Sequence, residues 1–199
     1  VARAIQRTRA FEKDDELAIN KIVTLIRDLE KRDTHSASHS RRMAMLSEQI
    51  ASQYQFSVRE TRELCWAALL HDIGKLRIDD FILKKAGPLT DDEWRIMKTH
   101  SRIGAKIVAD LAGLEDLAPL ILSHHERVDG AGYPQGLTGE EIPLGGKILA
   151  VIDSYTVMTE GRPYRVKCSH EEALAELAKN RGTAFDPDVI DKFIAIFKS

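Results

Sequence analysis

Apolar residues recur at intervals of three and four along most of this 199-residue chain, which is the spacing of one helix face. The opening 33 residues carry such a stripe without interruption and predict one long N-terminal helix; its members are Leu17, Ile22, Leu25, Ile26 and Leu29. Three later segments, Ser57–Glu60, Thr90–Glu93 and Ser169–Glu172, have the Ser/Thr-x-x-Glu form of a capping box. An apolar stripe follows each of them, so three more helices are predicted.

The remaining pattern is also helical. The stripe after Thr90–Glu93 continues without a break through Trp94, Met97, Ile103 and Ile107. The segment from Pro143 to Met158 contains ILAVI, which alone could form a strand, but its apolar spacing continues to Met158 and favours a helix. Pro187 suits the first turn of a closing helix. With loops at Gly87–Thr90 and Val128–Leu144, the pattern predicts an all-α fold.

Composition narrows the classes of function. A charged fraction of 30% with a formal net charge of -2 argues against nucleic-acid polymers as partners, because they require a basic face; a local anion pocket remains open. Cys65 and Cys168 are too few and too far apart for a disulfide framework or a zinc ribbon. We expect neither a signal peptide nor a membrane span, because no apolar run approaches the ~20 residues that a span requires. We therefore expect a cytoplasmic protein without a membrane span.

The sequence begins at Val1, inside the predicted N-terminal helix and without a capping residue. Residues 1–30 are therefore expected either to link to an upstream regulatory domain or to follow a trimmed terminus. The amphipathic stripe of this helix fits a homodimer through parallel helices and equally fits packing on its own domain. Residues 31–199 can bury one core and are expected to form a single domain.

Imidazole and carboxylate groups interrupt several apolar stripes. They are His39, His71, Asp72, His100, His124, His125 and Asp153. Buried groups of this kind need partners, and no Lys or Arg runs along the same stripes, so a metal centre is predicted. Imidazole and carboxylate ligands without thiolate favour Fe, Mn or Zn and disfavour Ca and Mg.

Two neighbouring ions are expected rather than one. Adjacent residues of a helix point about 100° apart, so His124 and His125 are expected to serve different ions. Asp72, with two oxygens, is the natural bridge between them. Two metals a few ångströms apart are a standard arrangement for phosphoester hydrolysis, in which they activate a bridging water and stabilise phosphoryl charge.

His71-Asp72 and the DGAGYP of Asp129–Pro134 resemble the motifs of the HD-GYP family, bacterial cyclic di-GMP phosphodiesterases within the HD superfamily. The resemblance extends from Lys31 to Ile194 through RDTHSASHSRR, HDIGK, ILKKAGPLTDDEWRIMKTHSRIG, HHE, VIDSYTVMTEGRPYR and GTAFDPDVI. It implies a compact helical bundle of the HD-domain type, with residues 31–199 as the catalytic domain. The metal ligands that it implies are His39, His71, Asp72, His100, His124, His125 and Asp153.

The resemblance further implies hydrolysis of cyclic di-GMP to linear pGpG, and in some members onward to GMP, by a metal-bridging hydroxide. The implied centre has two or three divalent ions, iron or manganese in the family, with zinc and nickel as further candidates. Catalytic roles fall to His71, Asp72 and Lys75, the lysine lying near the scissile phosphate and also binding substrate.

The resemblance implies substrate contacts for three further residues, and the sequence departs from the family's pattern at two positions. Tyr133 is expected to line the substrate, and Arg162 and Arg165 to contact its phosphates. His35 stands where trinuclear members have a glutamate, four residues before His39, so it is either a ligand of a third metal, a cap on the site or a free surface residue. Thr156 replaces a frequent aspartate, so a guanine or phosphate contact is expected to be lost there.

Three functions compete. The intact ligand set favours an enzyme, and the alternatives are a cyclic di-GMP-sensing module that contacts other signalling proteins, or a phosphodiesterase for another cyclic dinucleotide. Within HHERVDGAGYP, Glu126 is expected either to orient a ligand histidine or to be exposed to solvent. Gly130 and Gly132 are expected to permit a tight turn, and Tyr133-Pro134 to form a rigid lip beside the metals.

Overall fold

The structure is a computed structural model that describes residues 2–33, 36–160 and 167–198. The α-helices of these ranges are α1 (Ala2–Arg32), α2 (Ser36–Gln53), α3 (Val58–Leu70), α4 (Asp80–Leu83), α5 (Asp91–Met97), α6 (His100–Ala109), α7 (Ala118–Ser123), α8 (Leu144–Glu160), α9 (His170–Lys179) and α10 (Pro187–Ala195). Short 3-10 helices occupy Ile73–Arg77, Glu115–Leu117 and Gly139–Glu141. The described ranges contain no β-strand, only two isolated β-bridges. The predicted all-α fold is confirmed.

Helix α8 is the centre of the core. It packs against α2, α7, α9 and α10, and every residue from Gly146 to Ile152 is buried. A helix that is apolar on all sides belongs in the interior. This burial explains why ILAVI resembles a strand in isolation although it is helical, as predicted.

The capping boxes form as predicted. Ser57, Thr90 and Ser169 each accept a hydrogen bond from the backbone N–H three residues later, and the glutamate side chain at that position accepts the backbone N–H of the capping residue. These paired bonds satisfy backbone donors that a helix start leaves free. The beginnings of α3, α5 and α9 are therefore determined locally.

The stripe after Thr90 is divided between two helices, which corrects the prediction of one continuous stripe. Helix α5 ends at Met97, a turn follows, and α6 begins at His100. Trp94 and Ile96 are consequently 45% and 46% exposed instead of packed in the core. The turn changes the direction of the chain so that His100, at the start of α6, faces the interior.

Helix α1 contributes to the same core through Ala18, Ile22 and Leu29. Leu17, Ile19 and Val23 lie on other faces of the helix and are exposed. The predicted dimer through this helix stays a prediction. No helix in the described ranges has both the length and the apolar content required to cross a membrane.

Gly74 allows the 3-10 helix after α3 to touch the backbone of α6. A Cβ atom at Gly74 would lie 1.9 Å from the carbonyl oxygen of His100 and 2.6 Å from the amide nitrogen of Gly104. Both contacts are with backbone, which cannot rotate away as a flexible side chain can. The absence of a side chain at Gly74 therefore holds the His71-Asp72 segment against the first turn of α6.

We expect Gly74→Ala to lower the free energy of unfolding by about 1–3 kcal/mol, because the added methyl forces these backbones apart. Urea denaturation followed by circular dichroism, with chelator present so that metal binding does not contribute, measures the change. Gly87→Ala is the matched control, since no atom lies within 4 Å of its Cβ position, and a shift within about 0.5 kcal/mol is expected. Equal midpoints for the two variants would contradict the prediction.

Candidate metal centre

Seven imidazole and carboxylate side chains from five helical segments converge in the interior. The residues are His39 from α2, His71 and Asp72 after α3, His100 from α6, His124 and His125 after α7, and Asp153 from α8. They are all of the ligands predicted from the sequence except His35, which lies outside the described residues. Most of them are buried, and Asp153 and His125 are partly buried.

The first group of ligand atoms joins α2, the end of α3 and α8. Atoms of His39, His71 and Asp153 all lie within 4.8 Å of one another, and His39 Nε2 is 3.0 Å from Asp153 Oδ1. This contact lacks the direction of a hydrogen bond, so the buried Nε2 has no hydrogen-bond partner among the described residues. Buried polar atoms are rarely left unsatisfied. A ring nitrogen of this kind beside a carboxylate fits a metal ligand.

The second group joins α6 and the end of α7. Ligand atoms of His100, His124 and His125 also lie within 4.8 Å of one another. His100 Nε2 is 3.4 Å from His124 Nε2 and 3.2 Å from His125 Nε2. Three imidazole nitrogens directed at one point can hold one divalent ion.

The expectation that His124 and His125 serve different ions is wrong, since both belong to the second group. The expected offset of about 100° applies within a helix. Helix α7 ends at Ser123, and the two histidines lie in the turn that follows. In this turn the two adjacent imidazoles lie close together, with ring centroids 3.9 Å apart.

Asp72 lies between the two groups. Its Oδ2 is 3.3 Å from His71 Nε2, and its Oδ1 is 3.4 Å from His100 Nε2. Lys75 Nζ is 2.6 Å from Oδ2. One carboxylate oxygen therefore faces each group, which is the geometry that a bridging ligand requires.

Backbone carbonyls orient three of the histidines. The Nδ1 atoms of His71, His100 and His124 lie 2.7, 2.7 and 2.6 Å from the carbonyl oxygens of Ala68, Met97 and Ile121. An N–H on Nδ1 satisfies each carbonyl and leaves the Nε2 lone pair directed at the centre. The three rings thus turn Nε2 toward the centre, which is the orientation that a metal ligand needs.

Burial lowers the pKa of His100, His124 and His125, in the last case to about 4, because desolvation disfavours the imidazolium form and the neighbouring imidazoles add to the effect. These three side chains are therefore neutral at neutral pH, as metal ligands must be. For His71 burial acts in the same direction, but the carboxylates of Asp72 and Asp153 outweigh it and raise the pKa.

Both carboxylates of the centre are ionised. Burial alone would raise the pKa of Asp72, but Lys75 and His71 together hold it well below its usual value. Burial likewise opposes ionisation of Asp153, and the adjacent His39 and His71 lower its pKa below the usual range. Two anionic oxygen ligands among five imidazoles give the centre the charge to hold divalent cations.

The loop after His125 forms a wall beside the second group, as predicted. The Tyr133 ring lies 4.7 Å from the His125 ring, and its backbone N–H donates to the His125 carbonyl over 3.1 Å. Gly130 has a φ of +77°, and a Cβ at Gly132 would lie 2.3 Å from the Arg127 nitrogen. Both glycines are needed for this turn.

Glu126 has a different role from either of those expected. It is neither exposed nor hydrogen-bonded to a described histidine. The side chain is buried, and its two oxygens accept the backbone N–H groups of Gln135 and Leu137 over 2.7 and 3.0 Å. Glu126 therefore fixes the loop that carries Tyr133. Its buried carboxylate is satisfied by loop amides that sequence spacing could not identify.

The remaining positions singled out from the sequence have three different outcomes. Lys75 is only 12% exposed and lies against Asp72, so a solvated surface role is excluded. Arg162 and Arg165 lie outside the described residues. Thr156 is fully buried, and its hydroxyl donates to the Ile152 carbonyl, so this position faces the core rather than a ligand.

Sequence reasoning missed Glu160. Its Oε2 is 3.3 Å from Nδ1 of His39, although the two residues are 121 positions apart. No local pattern marks this glutamate, because it ends α8 among polar neighbours. Only the packing of α8 against α2 brings it to the centre.

Comparisons with known proteins agree with this architecture. A cyclic di-GMP phosphodiesterase of Thermotoga maritima is 42% identical over 171 residues, which are 85% of this chain and 46% of that protein. The cyclic di-GMP phosphodiesterase response regulator RpfG of Xanthomonas campestris is 40% identical over 172 residues, which are again 85% of this chain and 46% of that protein. A 3'3'-cGAMP-specific phosphodiesterase of Vibrio cholerae is 37% identical, over 87% of this chain and 38% of that protein. The chain thus spans about half the length of these relatives or less.

Solved structures share the fold. A cyclic GMP-AMP specific phosphodiesterase of V. cholerae matches with a TM-score of 0.69 at 22% identity, over 89% of this chain and 48% of that one. The HD domain of the L. monocytogenes phosphodiesterase PgpH matches with a TM-score of 0.62 at 17% identity, over 87% of this chain and 97% of that one. The profile of the HD domain family matches residues 24–189. The chain therefore belongs to the HD domain family, as its motifs predicted.

Proposed function

We propose that the chain is a metal-dependent phosphodiesterase that hydrolyses cyclic di-GMP to pGpG, with the second step to GMP dependent on a third metal. The observation that carries the proposal is the pair of three-ligand groups with Asp72 between them. His39, His71 and Asp153 would hold one ion, and His100, His124 and His125 the other. Divalent metals there supply Lewis-acid chemistry for phosphodiester hydrolysis.

The protein's own groups complete this chemistry. Asp72 shares its two oxygens between the groups and sets their separation. Lys75, held against Asp72 over 2.6 Å, places a largely buried cation beside the shared carboxylate, where it would stabilise charge on a phosphoryl oxygen. Tyr133 supplies an aromatic wall next to His125, against which the nucleotide would lie. The resemblance adds Arg162 and Arg165 as phosphate contacts.

Iron or manganese is the proposed metal, with zinc or nickel as alternatives. Five imidazoles and two carboxylates without a thiolate form a ligand set that suits first-row transition metals better than Ca or Mg. His35 would decide whether a third ion is held near His39.

A second candidate substrate is 3'3'-cGAMP. It is supported by the 37% identity to a 3'3'-cGAMP-specific phosphodiesterase. Both substrates are cyclic dinucleotides with two phosphodiester bonds, so the same centre could hydrolyse either. A sensing module without turnover is less well supported, because it would not need seven converging ligands.

We expect His71→Ala and Asp72→Ala each to lower the metal content and to reduce turnover to background, because His71 belongs to the first ligand group and Asp72 faces both groups. Elemental analysis and hydrolysis assays on the purified protein measure the two effects. His170→Ala is the control: this histidine contacts the Tyr155 hydroxyl over 2.8 Å and belongs to neither ligand group. Full metal content and activity in the Asp72 variant would refute the proposed centre.

Product analysis decides the substrate. Metal-loaded protein incubated with cyclic di-GMP is expected to yield pGpG. Removal of the metal with a chelator should stop the reaction. Parallel incubation with 3'3'-cGAMP compares kcat/KM for the two substrates. A higher kcat/KM for 3'3'-cGAMP would make it the proposed substrate instead of cyclic di-GMP. Binding of either nucleotide without hydrolysis would favour a sensing module.

We expect Lys75→Met to lower kcat by roughly 10²–10³-fold, the usual loss for one group that stabilises transition-state charge, while metal content is kept. Lys147→Met is the matched control, because Lys147 is also a buried lysine and pairs with Asp186 over 2.9 Å outside the centre. The control should lose stability and retain kcat. An unchanged kcat in the Lys75 variant would remove it from the catalytic residues.

A further inference from the structure

His39 differs from three other histidines of the centre in the partner of its Nδ1 atom. His71, His100 and His124 direct Nδ1 at a backbone carbonyl three residues earlier. His39 Nδ1 instead faces a carboxylate, Oε2 of Glu160, at 3.3 Å. A charged acceptor takes the place of a neutral one.

From this contact we infer that Glu160 is a positioning residue that orients His39 and strengthens it as a metal ligand. A carboxylate that accepts the Nδ1–H bond fixes the ring orientation and raises the basicity of Nε2. Nε2 is the atom that lies 3.0 Å from Asp153 and lacks a hydrogen-bond partner among the described residues. The inference rests on the proposed metal centre but not on its substrate.

The spacing of α8 explains how one helix supplies both contacts. Asp153 and Glu160 are seven residues apart, so they lie on the same face, about 10 Å apart along the axis. The His39 ring, which comes from α2, lies between the two carboxylates, one at each ring nitrogen. The packing of α2 on α8 therefore sets the direction of the ligand nitrogen.

Arg42 holds the second oxygen of Glu160. Its Nη1 is 3.8 Å from Oε1, and its guanidinium lies over the Tyr155 ring at 5.5 Å. The two oxygens thus have separate partners, Oε1 the arginine and Oε2 the histidine. A purely structural role for Glu160 would act through Arg42 alone, so the two roles can be separated by mutation.

The experiment measures Co²⁺ binding to the full chain. Affinity comes from competition with a chromogenic chelator, the number of ions from elemental analysis at saturation, and ligand geometry from the visible Co²⁺ spectrum. Glu160→Ala is expected to lower the affinity of one ion by roughly 10–100-fold and to alter its spectrum, with the number of ions at saturation unchanged. Glu160→Gln should recover part of the affinity, because its amide oxygen still accepts the Nδ1–H bond.

Two comparison variants isolate the contact with His39. Glu30→Gln removes another carboxylate that pairs with α2, through Arg41 over 2.9 Å, and should bind Co²⁺ as the parent does. Arg42→Gln removes the arginine partner and should cost less affinity than Glu160→Ala.

Three results would overturn the inference: an affinity for Glu160→Ala within about twofold of the parent, an equal loss in Arg42→Gln, or the loss of a whole ion at saturation. The last result would make Glu160 a ligand itself. None of these readouts requires substrate. A parent that binds Co²⁺ with the expected dependence on Glu160 but hydrolyses no cyclic dinucleotide would refute the proposed function and leave this inference intact.

Discussion

Seven imidazole and carboxylate groups lie together in a helical core. Their need for hydrogen-bond and charge partners is the constraint on which the rest of the structure depends. Unpaired buried polar groups are costly, so most of these groups are either oriented by a backbone carbonyl or placed against an opposite charge. Carbonyls fix the rings of His71, His100 and His124, and Lys75 holds the Asp72 carboxylate ionised. The remaining Nε2 lone pair of His39 is directed at a point that a metal ion would satisfy.

The surrounding helices are arranged to hold these groups at short range. Gly74 lets the segment after α3 touch the backbone of α6, which brings Asp72 to His100. Helix α8, which is buried throughout from Gly146 to Ile152, carries Asp153 into the centre and packs against α2. Glu126 fixes the Tyr133 loop through two backbone amides, so the aromatic wall is held beside the second ligand group.

Local signals predicted the helices well, because capping boxes and apolar periodicity depend on neighbouring residues alone. They failed where the chain turns. The stripe from Trp94 to Ile107 is divided before His100, and the end of α7 lets His124 and His125 face the same point. Both errors came from extending helix geometry past a helix end. The residues that converge at the centre were still picked out, because polar groups within apolar stripes are visible without knowing the turns.

The sequence by itself determined the helical fold, the family and the residue types of the centre, since these depend on periodicity, caps and motif order. Tertiary structure alone decided how the ligands are grouped, that Glu126 fixes a loop, and that Glu160 meets His39 from a position 121 residues away. The physical reason is that a contact between helices depends on their relative placement and on the rotation of each about its axis. Those quantities result from packing of the whole core, and no short segment specifies them.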